Sequence, residues 1–215
     1  MRKVKSKFFY IKATDDRIYK EFLLDSINTL NKNLKSPFVF SNIVINNLKL
    51  KKKYFLNLSF IKKGFNDYLN IKKIYKIHQF KIYHNTVVFN SKLFFKENIF
   101  KSEYGPRCDM LNLLFLSQKY GFTYLNKYLS EFIVRHGQWG KTQSNKNLIH
   151  ELRILKRKKK KFFIFFINNN LHYDLTIFSI PLLISSGFVN IITINWFVRS
   201  IKFQLWKKIR FYISP

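Results

Sequence analysis

RILKRKKKKFFIFFINNNLHYDLTIFSIPLLISSGFVNIITINWFV, residues 153–198, sets the densest charge in the chain directly against its clearest apolar run. Six consecutive cations, Lys156, Arg157, Lys158, Lys159, Lys160 and Lys161, lead without a spacer into Phe162-Phe163-Ile164-Phe165-Phe166-Ile167, and Asn168-Asn169-Asn170 closes the run. A short aromatic and β-branched run bounded in this way predicts a strand buried on both faces, entered from a basic helix end. An apolar segment follows, Gly187 stops it, and residues 188–194 form a second β-branched run that ends at Asn195. Strand, crossover, strand is the unit of a parallel sheet. The expected fold class is therefore α/β, a doubly wound, mostly parallel sheet flanked by helices.

Outward from this stretch, the chain of 215 residues is long enough for one sizeable core, and no linker marks a second one. Its formal charge of +29, from 40 Lys and Arg against 11 Asp and Glu, exceeds what solubility needs and repels itself unless a polyanion neutralises it. The cations recur from Arg2 to Arg210. Peripheral membrane proteins concentrate them on one amphipathic helix, so spread charge points to folded RNA. A single cysteine, Cys108, excludes an internal disulfide framework and a multi-cysteine zinc site. The 25 Phe and 12 Tyr, with many Lys, Asn and Ile beside 6 Gly and 4 Pro, have the bias of a very AT-rich gene, as in organelle genomes. MRKVKSKFFYIKATDD at the N-terminus shows no targeting pattern.

Residues 1–53 read as a basic N-terminal extension with one helix over 17–34, capped by Asp15 or Asp16, and residues 54–215 as the α/β domain. Residues 38–50 alternate imperfectly and leave strand and loop both open. Strands are expected at 54–58, 86–90 and 131–134, the second of parallel-sheet type. Helices are expected at 60–77, 93–100 (with Ser91 as cap), 109–120 (closed by Gly121), 146–158 and 199–212.

The loop after 131–134 is polar, basic and glycine-containing: Arg135, His136, Gly137, Gln138, Trp139, Gly140, Lys141, Thr142, Gln143, Ser144, Asn145, then Lys146. Gly140-Lys141-Thr142 imitates the end of a phosphate-cradling P-loop, but Arg135 stands where that loop needs its first glycine, which argues against a nucleotide site. RNA suits the loop better, with Arg135, Lys141 and Lys146 for phosphates and Trp139 for stacking or for core anchoring. His78, His84, His136, His150 and His172 include no pair at the helical spacing of a zinc site, and no nucleophile stands beside a recognisable base. The expectation is no enzyme, no metal and no cofactor.

Taken in order, these pieces resemble the universal small-subunit ribosomal protein 2 family in a reduced organellar form. The similar stretches are Tyr54-Phe55-Leu56-Asn57-Leu58 and Val87-Val88-Phe89-Asn90-Ser91-Lys92; Phe132-Ile133-Val134 with Trp139-Gly140 and Ser144-Asn145 before the basic helix; and residues 162–167, Gly187-Phe188 and Ile192-Thr193-Ile194-Asn195. They span residues 54–203. The coiled-coil insertion of bacterial members is missing, since Lys161 runs straight into an apolar run. The resemblance implies a structural constituent of a mitochondrial or plastid small ribosomal subunit. Its partners would be small-subunit rRNA and neighbouring ribosomal proteins, with no small-molecule substrate. It also implies phosphate contacts from the Arg135 loop, from Arg153 and the 156–161 cluster, and from Arg199, Lys202, Lys207 and Lys208 on the last helix.

One alternative stays beside it. Residues 175–198 carry no charge and are about long enough to cross a bilayer, as in a hydrophobic subunit of an organellar inner-membrane complex. Pro181, Ser185, Ser186, Gly187, Asn190 and Asn195 divide the stretch, and a buried helix plus strand is the preferred reading, with no membrane span.

Overall fold

The computed structural model describes residues 4–13, 15–78, 80–97 and 108–135, together with the helical residues Ile154 and Arg157. The chain divides into two compact units, Met1–Gln143 and Ser144–Pro215. The first contains β1 (Phe8–Tyr10), β2 (Arg17–Ile18), α1 (Phe22–Lys32), β3 (Phe38–Asn47), β4 (Lys52–Leu56), β5 (Gly64–Asn66), α2 (Tyr68–Ile77), a 3-10 turn (His84–Thr86), β6 (Val87–Asn90), α3 (Ser91–Glu97), α4 (Cys108–Tyr120) and β7 (Phe122–Val134).

Two long strands, β3 and β7, lie side by side and parallel at the middle of a seven-stranded sheet. Each meets two shorter strands along its outer edge. On β3, Phe38 to Phe40 pair with β6 and Ile43 to Asn47 with β4; on β7, Phe122 to Tyr124 pair with β5, and Ser130 and Glu131 with β2. β1 then adds to β6. Among the described residues every strand pair except β3–β7 is antiparallel, and the sheet curls into a half-barrel. The expected doubly wound, mostly parallel sheet is thus overturned for the described residues.

The physical reasons lie in three segments. β6 is apolar because both its faces are covered, and burial on both faces does not require parallel neighbours; both of its partners run antiparallel. β3 and β4 are joined by residues 48–51, far too short for the crossover that parallel strands need. β7 begins directly after Gly121 rather than at Glu131, so it reaches across the whole sheet. The strands expected at 162–167 and 188–194, and the last helix, lie outside the described residues.

Two apolar layers sandwich the sheet. On one face Val39, Val88, Leu125 and Leu129 pack with Phe22 and Leu30 of α1. On the other, Phe38, Phe40, Phe89, Phe122 and Tyr124 form a continuous aromatic layer with ring centroids 5.0 to 6.3 Å apart. Phe80 joins that layer through Phe122 and stacks on Tyr75, which docks α2 there. Such ring pairs add about 0.5–1.5 kcal/mol each beyond area burial. α4 packs against α2 and buries every residue from Leu111 to Ser117, Asn112 and Ser117 included, so its middle is covered all round, as in an interior helix.

Helix starts are shorter than periodicity predicts. Arg17 and Ile18 join the sheet as β2, and α1 starts at Phe22 after Glu21, whose side chain makes no capping bond. Asp16 does not cap the helix; its carboxylate accepts the backbone N–H of Ile133 at 3.2 Å. Gly64, at φ +94°, ends any helix from residue 60 and opens β5; Asp67 caps α2 by accepting from Asn70 N at 2.9 Å. Ser91 does open α3, but its hydroxyl donates to the Ser6 carbonyl at 2.6 Å and ties the N-terminal arm to the start of that helix. Gly121 closes α4 as expected, at φ +84°, donating to the Ser117 carbonyl at 2.9 Å.

Two measurements test this fold. A Cβ on Gly121 would run into the carbonyl oxygen of Asn66 and, at 3.2 Å, approach Asp67 Cα, whereas one on Gly64 would meet nothing. Urea unfolding should show Gly121→Ala destabilised by about 3 kcal/mol and Gly64→Ala by only about 1 kcal/mol, the strain of positive φ alone. Asp16 is buried, and burial pushes its carboxyl up to about 6, with Asp15 adding to the rise while the Ile133 N–H and Lys12 oppose it. A carboxyl raised in this way stabilises the fold least when ionised, so stability should fall as pH rises from about 4 through about 6. Asp16→Asn should flatten that slope and gain about 1 kcal/mol at pH 7.

Candidate nucleic-acid interface

The connection between β3 and β4 is a short hairpin whose sequence is Leu48-Lys49-Leu50-Lys51, and Lys52 and Lys53 continue into β4. Asn47 organises the turn, its side-chain oxygen accepting from Leu50 N at 3.1 Å, in the manner of asparagines that mimic a backbone turn. Lys51 takes the left-handed conformation, φ +49°, that lets the chain reverse. The result is four lysines within five residues, all exposed.

The end of β7 meets this hairpin. Asn47 pairs with Val134, and Leu48 N donates to the Val134 carbonyl at 3.1 Å. Arg135, the next residue, is exposed and follows directly on the strand end that the lysine turn meets. Lys49, Lys51, Lys52, Lys53 and Arg135 thus form one cationic ridge at the end of the two central strands. Of these, Lys53 is ion-paired, 3.3 Å from Glu131, a carboxylate only 3% exposed, which also accepts from Asn46 Nδ2 at 2.6 Å. Lys53, Asn46 and Glu131 lie on β4, β3 and β7, so this polar link staples three strands beneath the ridge.

An exposed aromatic flanks the ridge. Phe55 in β4 is 65% exposed, and its ring meets Tyr128 edge to face at a centroid distance of 5.5 Å. Tyr128 is half-buried, and burial pushes its hydroxyl above the ordinary range.

A second gathering of polar groups is internal. His84 Nε2, both side-chain amide atoms of Asn85 and Asn112 Nδ2 are buried without hydrogen-bond partners among the described residues. Burial holds the His84 pKa below its ordinary value, against the opposing charge of Asp109. Among the described residues no group of three or more His, Cys, Asp or Glu is arranged to hold a metal ion.

Of the residues predicted from sequence, Arg135 lies at the end of β7, and Arg157 is helical and exposed in the second unit. His136, Gln138, Trp139, Lys141, Asn145, Lys146, Arg153, Lys156, Lys158, Lys159, Lys160, Lys161, Arg199, Lys202, Lys207 and Lys208 lie outside the described residues. The hairpin lysines were missed. Their signal is an asparagine pair followed by Leu-Lys-Leu-Lys-Lys-Lys between two β-rich runs, a shorter charge run than that at residues 156–161.

No known protein family matches this chain, and no curated protein does either.

Lys49, Lys51 and Lys52 can lose their charge without cost to the fold, whereas Lys53 cannot. Replacing the first three by Gln should leave thermal stability within about 0.5 kcal/mol, as for surface positions, and reduce the salt exponent of RNA binding by about 2, at about 0.7 per phosphate on a single strand. Lys53→Met should lower stability by about 1–3 kcal/mol by leaving Glu131 buried without its cation, read by urea unfolding.

Proposed function

We propose that this protein is a structural, RNA-binding constituent of an organellar small ribosomal subunit, mitochondrial before plastid, held by small-subunit rRNA and neighbouring ribosomal proteins. The observation that carries the reading is the cationic ridge at the end of β3 and β7, in a chain of net charge +29. Such a ridge repels itself in isolation and is neutralised by a row of phosphates, whose condensed counterions are released on binding. Because the described sheet is not the doubly wound one that the family resemblance implies, the reading rests on charge and its placement, not on fold.

Within that reading Arg135 and the hairpin lysines take phosphates, and the Lys156–Lys161 run, read from the sequence alone, takes others. Charge contacts of this kind fix orientation on an RNA rather than read its sequence. The reaction chemistry expected is none.

Sedimentation tests it. In organelle lysate the protein should travel with small subunits at moderate salt and leave them as salt is raised; a protein that stays at the top of the gradient at moderate salt ends the proposal. Carbonate extraction separates this reading from a hydrophobic subunit anchored by residues 175–198, which lie outside the described residues. Among the described residues no helix is long and apolar enough to cross a membrane. An RNA-held protein should be released into the supernatant, an anchored one retained in the pellet.

A further inference from the structure

β4 borders the sheet: it pairs with β3, and no described strand pairs with its other edge. Along it, alternate residues share a face, so Lys53 and Phe55 project from the same side. Phe55 stands directly across from Val44, and Val44 from Glu131, the carboxylate that holds Lys53. This side of the sheet end therefore carries Lys53, Phe55 and Tyr128 as one group, adjoining the exposed lysines of the turn.

An aromatic side chain 65% exposed in the middle of a strand loses the burial that would otherwise justify it. Tyr128, packed edge to face against it, restricts the ring, so a ligand stacking there finds it already oriented. Two occupants suit an exposed edge strand with an aromatic: another protein strand, or an unpaired nucleotide. The lysines decide between them. Lys51, Lys52 and Lys53 in sequence along the edge are the device by which sheets discourage strand addition, because pairing would bring those charges against a second backbone. They are equally the device by which a backbone of phosphates is attracted, and a base has a π-face of the right size for the ring whatever its sequence.

We infer that Phe55, supported by Tyr128, is a stacking platform for an unpaired RNA base whose flanking phosphates lie along Lys51, Lys52 and Lys53. The inference rests on the RNA-binding reading and narrows it. It assigns single-stranded RNA, in place of duplex, to this end of the sheet. Sequence preference should be slight, since stacking reads no hydrogen-bonding edge.

The test uses the full chain and two labelled probes, a ten-nucleotide oligouridylate and a blunt-ended twelve-base-pair RNA duplex, with binding read by fluorescence anisotropy at fixed salt. Phe55→Leu keeps an apolar side chain at an exposed position and removes the π-face. It should weaken oligouridylate binding about tenfold while changing duplex binding less than about twofold, with the salt exponent unaltered. Phe55→Trp should restore or exceed the original affinity. If the unaltered protein binds RNA and Phe55→Leu matches it on oligouridylate, the platform is refuted and the RNA-binding reading survives. Equal loss on both probes also refutes it, as the mark of a disturbed hairpin. If the unaltered protein binds neither probe, the RNA-binding reading falls and the platform with it.

Discussion

A single buried amide fixes how the two central strands meet. Asn42 of β3 is 1% exposed and sits where the register against β7 shifts, between Ser41 and Ile43. Its oxygen accepts from Leu58 N at 3.0 Å and from the Tyr124 hydroxyl at 2.6 Å, and its nitrogen donates to Asn126 Oδ1 at 2.9 Å. A polar group so deeply enclosed costs free energy unless its bonds are made, and these partners come from the segment after β4 and from β7. The amide therefore joins β3 to both neighbours at the irregular point of the sheet. Beyond it toward Asn47, the strands run in steady register to the hairpin and to Arg135. The placement of the cationic ridge depends on it.

That arrangement explains why a basic turn becomes a defined surface. A hairpin with four lysines is self-repelling, and on its own would be poorly held. Here it is anchored by the β3–β7 pair, by the Leu48 to Val134 backbone bond and by the buried Glu131 that reaches Lys53. The remaining cations are exposed on a rigid support, so little ordering is left for a polyanion to impose.

The sequence made some of this legible. Apolar periodicity located α3 and α4 to within a few residues and the C-terminal end of α2, though the helix expected from residue 60 runs through β5; Gly121 was read correctly as the stop after α4. It did not reveal β3, because Asn42, Asn46 and Asn47 look like loop residues until their hydrogen-bond partners, from Leu50 to Glu131, are known. It misjudged strand direction because an apolar run reports burial and carries no sign of which way its neighbours run. At the site the same limit applied. Arg135 was legible from its position after a strand, while the lysines opposite it became significant only once β3 and β7 were seen to lie side by side.

The parallel pair also bears on how the chain is made. β3 and β4 leave a ribosome early and can close their hairpin at once, but the inner edge of β3 has no partner until β7 follows, after three helices and β6 have been synthesised. At about 5–20 residues per second that interval is on the order of several seconds. During it Val39, Phe40, Ile43 and Val44 line an open strand, the kind of surface on which nascent chains adhere to one another. The lysines at the hairpin tip put like charges beside that open strand, the kind of feature that discourages one sheet edge from pairing with another.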